Sequence, residues 1–234
     1  MANYLIIAAS SAIGQAVVRI LKSQGDTVFT TARDANKIQP DALLDATDFE
    51  AVNEVFKQAG EIDGVVNCAG SLFLKSAHTT TKEQYQAVIE ASLTTSFATV
   101  HAAGVNMKAG GSVVFISSAA ALVGIANHEA ISAAKAGIIG LAQSAASTYA
   151  NLNLRFNVVA PGMTNTPLTS SLVTNPMALE ASKAMHALGR IGNPEDIARA
   201  IVFLLNPENN WITGQVLAVD GGLSHVRPKM KMTP

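Results

Sequence analysis

The stretch Tyr4-Leu5-Ile6-Ile7-Ala8-Ala9-Ser10-Ser11-Ala12-Ile13-Gly14 decides the fold. Its first six residues are a short apolar run with the composition of a buried strand. Directly behind it Ile13, Ala16, Val17, Ile20 and Leu21 recur at i, i+3, i+4, i+7 and i+8, the period of an amphipathic helix. A buried strand that passes through a serine-bearing turn into a helix is the opening of a β-α unit, and the same rhythm repeats along the chain. Further strands are expected at 27–32, 42–44, 64–67, 112–117, 155–160 and 216–219. Helical stretches are expected at about 82–107 and 129–150. Thr47-Asp48-Phe49-Glu50 has the form of a reciprocal capping box, and Asn193-Pro194-Glu195-Asp196 combines a capping Asn, a first-position Pro and acids in the first turn.

Seven strands separated by six helical segments predict an α/β architecture: one doubly wound, parallel seven-stranded sheet with helices on both faces. Nothing in 1–234 marks a second domain. The segment 162–192 lies outside the rhythm and is expected to form a flap over a substrate. In such sheets ligands bind beyond the carboxyl ends of the strands, which points to the loops after Ala9, Ala32, Asn67, Ser117 and Ala160.

Composition narrows the function. The chain has 234 residues, is 49% apolar and 14% charged, and carries a formal net charge of −1. That excludes a disordered chain and argues against nucleic-acid binding by phosphate neutralisation. No apolar run approaches the roughly 18 residues needed to span a bilayer, and Met1-Ala2-Asn3-Tyr4 lacks the basic region of a signal peptide. The lone Cys68 cannot form an internal disulfide, so a reducing, cytoplasmic setting is expected. The five histidines and Cys68 show no metal-ligand spacing. Cys68 reads either as a reactive thiol or as a small buried apolar residue. The tail 225–234, with Arg227, Lys229 and Lys231, is expected either to cover a neighbouring subunit or to fray.

Five motifs in order carry a family resemblance: Asn67-Cys68-Ala69-Gly70, Ser117-Ser118, Pro161-Gly162-Met163-Thr164-Asn165-Thr166, Ile212-Thr213-Gly214 and Val219-Asp220-Gly221-Gly222. Along nearly its whole length the chain resembles the short-chain dehydrogenases/reductases. The resemblance implies a Rossmann-type fold, an oxidoreductase using a nicotinamide dinucleotide, and a homodimer or homotetramer. It places the cofactor's pyrophosphate at Ser10, Ser11, Ile13 and Gly14, where a helix amino terminus meets an anion. Only Gly14 remains of the family's three glycines there; Ala8 and Ala12 replace the others. Asp45 and Ala46 correspond to the adenine contacts, Asn67, Ala69 and Gly70 to the adenosine side, and Pro161, Gly162 and Thr166 to the carboxamide hold. Ala32 stands where an NAD-type aspartate falls and Arg33 follows it, which favours NADP(H), since a guanidinium complements a 2′-phosphate. Arg33 beside Asp34 also reads as a solvated surface pair.

The family's catalytic pattern is broken. Ser118 matches the substrate-facing serine and Lys135 the lysine that holds the ribose. The tyrosine position, four residues before Lys135, is Ile131, and the asparagine position is Ser92. Isoleucine exchanges no proton, a role worth roughly 10²- to 10⁴-fold. One reading keeps an active, atypical enzyme reducing a small carbonyl or activated alkene, with His128 as substitute proton donor and Glu129 orienting it. The reading that outweighs it is a solvent-exposed histidine that caps the helix start. The alternative is a non-catalytic NADP(H)-binding sensor or partner subunit, and a purely structural protein is the third reading.

Overall fold

A computed structural model describes residues 1–228. Lys229 and Lys231 of the basic tail lie outside the described residues. Seven strands form one sheet: β1 (Asn3–Ile7), β2 (Thr27–Ala32), β3 (Ala42–Leu43), β4 (Gly64–Asn67), β5 (Gly111–Ile116), β6 (Leu154–Pro161) and β7 (Val216–Val219). Their order is β3-β2-β1-β4-β5-β6-β7 and every pairing is parallel. Leu5 sits opposite Phe29 on one side and Val65 on the other, so the order reverses direction between β1 and β4. That reversal opens a crevice at the carboxyl ends of the strands.

The strands read as continuous apolar runs because successive side chains feed two different cores. Leu5, Ile7, Val65, Val113 and Val158 face α2 (Phe49–Ala59), α4 (Thr95–Asn106) and α5 (Glu129–Thr148), packing with Phe56, Ala98 and Ile138. Tyr4, Ile6, Val66, Val114 and Val159 face α1 (Ala12–Ser23) and α8 (Pro194–Leu205), packing with Val17, Leu21, Ile197 and Ile201. A third, small cluster joins Val88 on α3 (Lys82–Ile89) to Ala130, Ile131 and Ala134 on α5, with Phe73 against it.

Several expectations are corrected. The first strand ends at Ile7; Ala8 and Ala9 belong to the turn, where Ala8 adopts a left-handed φ of 57°. The cap of α2 is Asp48, whose Oδ1 accepts from the Glu50 and Ala51 amides at 2.9 and 3.0 Å. Thr47 instead donates its hydroxyl to Asp45 at 2.8 Å, so the Thr47–Glu50 box does not form. The helix expected over 82–107 is interrupted by a π turn at Glu90–Thr94 between α3 and α4. There the hydroxyls of Thr95 and Ser96 both bond the Ser92 carbonyl, a competition with the regular ladder that bends helices. The helix α5 stops at Thr148, and a single 3-10 turn at Ala150–Leu152 follows it before β6. The segment 162–192 contains two short helices, α6 (Ser170–Val173) and α7 (Pro176–Met185), the latter capped by the Asn175 side chain. Among the described residues no helix is long and apolar enough to cross a membrane.

Candidate active site

A cleft of about 1190 Å³ runs across the carboxyl ends of β1, β4, β5 and β6 and under the 162–192 segment. At one end the chain leaves β1 through Ala8 and enters α1 at Ser11, whose Oγ accepts from the Gly14 amide at 3.0 Å. Ser10, Ser11 and Ile13 line the cleft. Gly14 does not. A Cβ there would stand 2.9 Å from the Ala9 Cα and 3.1 Å from the Ala8 carbonyl oxygen, so this glycine lets the helix start pack on the turn.

Arg33, Asp45 and Ala46 line the far end, as expected, and are joined by Gln15, Arg19 and Lys37. Sequence reading missed these three; for Gln15 and Arg19 the spacing of four from Ser11 puts them on one side of α1 and was the available signal, whereas Lys37 lies in the loop after β2 and had none. Arg19 is bound to Glu195 at 2.7 Å, whereas among the described residues neither Arg33 nor Lys37 has an acidic partner within salt-bridge distance. Hydrogen bonds from the Thr47 amide and hydroxyl hold the Asp45 carboxyl below its ordinary value, with a smaller contribution from Arg33.

Ala69 and Gly70 reach the cleft but Asn67 does not. Asn67 is buried, its side chain donating to Thr99 Oγ1 at 3.0 Å and accepting from the Ala69 amide at 2.8 Å, so it shapes the turn. Cys68 is buried, and burial pushes its thiol up to about 12 against the weaker opposing effects of Ser11 and Lys135. Cys68 lines the cleft, and its burial favours the small buried residue over the reactive thiol.

The other end of the cleft is built around Lys135 on α5. Its side chain is buried, and Nζ donates to the Ile116 carbonyl at 2.9 Å. Burial pulls this ammonium down to about 8, with Cys68 acting weakly in the other direction. Ser117, which sequence reading left without a role, fixes the helix by donating to the Lys135 carbonyl at 2.8 Å. Ser118 lines the cleft and its Oγ accepts from the Ala120 amide at 3.1 Å.

His128 also lines the cleft, one turn before Ile131. Its Nδ1 lies 2.8 Å from the Ala126 carbonyl, which only accepts, so Nδ1 carries hydrogen and Nε2 is the nitrogen left for a ligand. The ring makes no bond that caps α5, and Ala126 rather than Glu129 orients it; Glu129 lies outside this cleft. Ile131 is 4% exposed, on the cleft wall and within the third cluster. None of the chain's three tyrosines reaches the cleft: Tyr4 lies in the core, Tyr149 packs on Phe156 and Tyr85 is exposed on α3. Ser92 is fully buried and its Oγ has no hydrogen-bond partner among the described residues.

Pro161, Gly162 and Thr166 line the cleft, and Leu168, Leu172 and Met185 bring apolar side chains from the 162–192 segment. Among the described residues no group of His, Cys, Asp or Glu is placed to hold a metal ion.

A family model described as enoyl-(acyl carrier protein) reductase matches residues 7–224. The 3-oxoacyl-(acyl-carrier-protein) reductase of Thermotoga maritima is 33% identical over 240 residues, covering 94% of this chain and 96% of its own. A protein of Xanthobacter autotrophicus described as inactive 2-(S)-hydroxypropyl-CoM dehydrogenase 2 is 35% identical over 192 residues, covering 78% and 84%. Among solved structures, ElxO with NADP bound superposes with a TM-score of 0.88 at 28% identity, covering 95% of this chain and 99% of its own. Its tyrosine-to-phenylalanine variant with NADPH bound gives 0.87. With the strand order, the crevice at its reversal and the lysine-serine pair in that crevice, these matches lead to one conclusion: the chain belongs to the short-chain dehydrogenase/reductase family of oxidoreductases.

Proposed function

We propose that this protein is an NADP(H)-dependent oxidoreductase acting on a small, uncharged carbonyl or alcohol, with His128 taking the proton-exchanging role of the family's phenol. The observation that carries the reading is the charge layout of one continuous cleft: Arg33 and Lys37 at one end, the buried Lys135 ammonium at the other. The residues fit the cofactor. Lys135 has three donors and uses one on Ile116, which leaves two for ribose hydroxyls. Gly70 leaves the approach open, since a Cβ there would stand 3.1 Å from Nζ. Ser10 and Ser11 at the start of α1 suit a pyrophosphate, and the free guanidinium of Arg33 suits a 2′-phosphate.

When bound, the nicotinamide supplies or takes the hydride. The chain's own residues handle the oxygen and the proton. Ser118 donates a hydrogen bond to the substrate oxygen, and His128 passes a proton from Nε2 as the oxygen gains charge, or accepts it in the reverse direction. Leu72, Leu74, Ile125, Ile131, Leu168 and Leu172 surround that end of the cleft and offer no charge to complement, which favours an apolar substrate. The 162–192 segment forms its flap. We also place the protein in the cytoplasm as a homodimer or homotetramer; exposed Phe97 and Val105 on α4 favour assembly.

One observation favours a second reading, a non-catalytic NADP(H) binder: the cleft wall holds isoleucine where the family carries tyrosine, and no tyrosine replaces it. Titration with NADPH by fluorescence, followed by its oxidation against uncharged aldehydes and ketones, separates the two. Turnover that falls by about 10²-fold or more in His128→Ala establishes the substitute donor. Tight binding with no turnover, and turnover gained in Ile131→Tyr, establishes the binder and refutes the enzyme.

A further inference from the structure

Of the lysines and arginines that line the cleft, only Lys135 is withdrawn from water: Arg19, Arg33 and Lys37 are exposed, whereas Lys135 is 6% exposed. As an ammonium its Nζ carries three hydrogens, and among the described residues it meets one acceptor, the Ile116 carbonyl at 2.9 Å. Two departures from the family pattern leave it so. Ile131, one turn earlier on α5, brings a hydrocarbon to the cleft wall where the family has a hydroxyl. Ser92 comes near without bonding. Its Oγ and Lys135 Nζ lie 3.9 and 3.1 Å from where a Cβ on Gly70 would stand, yet the hydroxyl has no partner among the described residues. The same cleft is walled by Leu72, Leu74 and Leu168, which offer no charge.

Burial without a counter-charge disfavours the ammonium and pulls it down to about 8. The groups that face it do not restore it. Cys68, from the turn after β4, is pushed up to about 12 and is uncharged near neutrality. Ser92 from the π turn, Ile116 from β5 and Ile131 carry no charge, and the Nδ1 of His128, nearly two turns back on α5, is bound to Ala126. Among the described residues no carboxylate lies within salt-bridge distance. At neutral pH roughly a tenth of the molecules therefore hold a free amine here, against fewer than roughly one in a thousand for an ordinary lysine. A desolvated amine on the wall of an apolar cavity is a nucleophile toward carbonyl carbon. We infer that Lys135 is a site of covalent capture: in the nucleotide-free cleft its neutral amine condenses with a small apolar aldehyde to form an imine. The Nζ lone pair bonds the carbonyl carbon, the C=O π pair moves to oxygen, and that oxygen takes a proton from nitrogen. Loss of the hydroxyl with the remaining nitrogen proton, as water, leaves the C=N bond. No oxidant or reductant is consumed, and hydrolysis reverses the step.

Capture uses the amine that ribose binding needs as an ammonium, so the two exclude each other, and nucleotide has to enter before the carbonyl compound. That ordering rests on the NADP(H) reading; the capture does not. Propanal and cyanoborohydride, which reduces an imine to a stable secondary amine, are added to the nucleotide-free protein with a lysine model peptide in the same tube, and adducts are mapped to residues by mass spectrometry. Near neutral pH, Lys135 should be labelled at least about tenfold faster than the model peptide, burial and lower basicity taking back part of its excess of free amine. The excess should shrink as pH rises from about 8 toward 10.5, where an ordinary lysine also discharges. Labelling of Lys135 no faster than the peptide overturns the proposal, as does an excess that does not shrink with pH. NADPH, its binding read separately by fluorescence, should slow the labelling in proportion to its occupancy. Bound NADPH that leaves the rate unchanged overturns the exclusion, whereas a failure of NADPH to bind refutes the cofactor reading and leaves the labelling rates to decide the capture.

Discussion

At the residue scale, Lys135 pulls stability and binding in opposite directions. Its ammonium is buried, hydrogen-bonded to one carbonyl and, among the described residues, unpaired with any carboxylate. Burial lowers it from 10.5 to about 8. The folded state thus gives up this proton more readily than the unfolded state. The group costs stability below about 8, and that cost fades as pH rises toward 10.5. Lys135→Met removes the buried charge while keeping the aliphatic stem, and should stabilise the ligand-free protein by on the order of 1–3 kcal/mol against the loss of one hydrogen bond. Thermal melts without nucleotide check the gain, and NADPH titration of the same variant should show affinity lost at least tenfold. In the parent, affinity should decline as pH is raised through about 8, where the ammonium discharges. The neighbouring Cys68, raised to about 12, should resist thiol reagents in the native protein at mildly alkaline pH and react only on unfolding.

At the scale of elements, the turn from β1 into α1 carries the clearest stored cost. Ala8 sits at a φ of 57°, where a side chain costs an L-residue roughly 1–2 kcal/mol. Ala8→Gly relieves that and gives back about 0.4–1 kcal/mol to the entropy of the unfolded chain, so a net gain of up to about 1 kcal/mol is expected in denaturant melts. Gly14→Ala should do the reverse, destabilising by about 1–3 kcal/mol, because its new methyl meets the backbone of Ala8 and Ala9. The need for glycine at 14 was legible in the motif; that a side chain there would meet the backbone of Ala8 and Ala9 was not. Elements whose signal is local were read well: β2, β4, β7 and the start of α8 fall where composition and caps put them. The π turn at Glu90–Thr94 was missed because hydrophobic period says nothing of side-chain hydroxyls bonding the Ser92 carbonyl. The cap at Asp48 was misplaced by one residue because Thr47 is engaged by Asp45 from outside the helix.

At the scale of the whole molecule, the sheet reversal brings Arg33 from the end of β2 and Lys135 from the middle of α5 into one cleft. A ligand spanning both ends should bind only the folded state, and at about 100 times its dissociation constant should stabilise it by about 2.7 kcal/mol. For a chain of this size that corresponds to a melting shift on the order of 5–10 °C. The two ends should be separable. Arg33 is exposed and takes no part in the core, so Arg33→Ala should leave the ligand-free melting temperature unchanged. Its loss should weaken NADPH about tenfold and NADH no more than about twofold, since only the former has a 2′-phosphate for the guanidinium to meet. The preference should also shrink with added salt in the parent, because Arg33 faces solvent and its attraction is screened beyond roughly 10 Å at 0.1 M. Melts of parent and variant with each nucleotide at matched concentrations measure both ratios together. An NADPH shift that survives Arg33→Ala undiminished would move the phosphate contact to Lys37, the other free cation lining that end of the cleft among the described residues, and equal shifts from NADH and NADPH in the parent would remove the phosphate contact altogether.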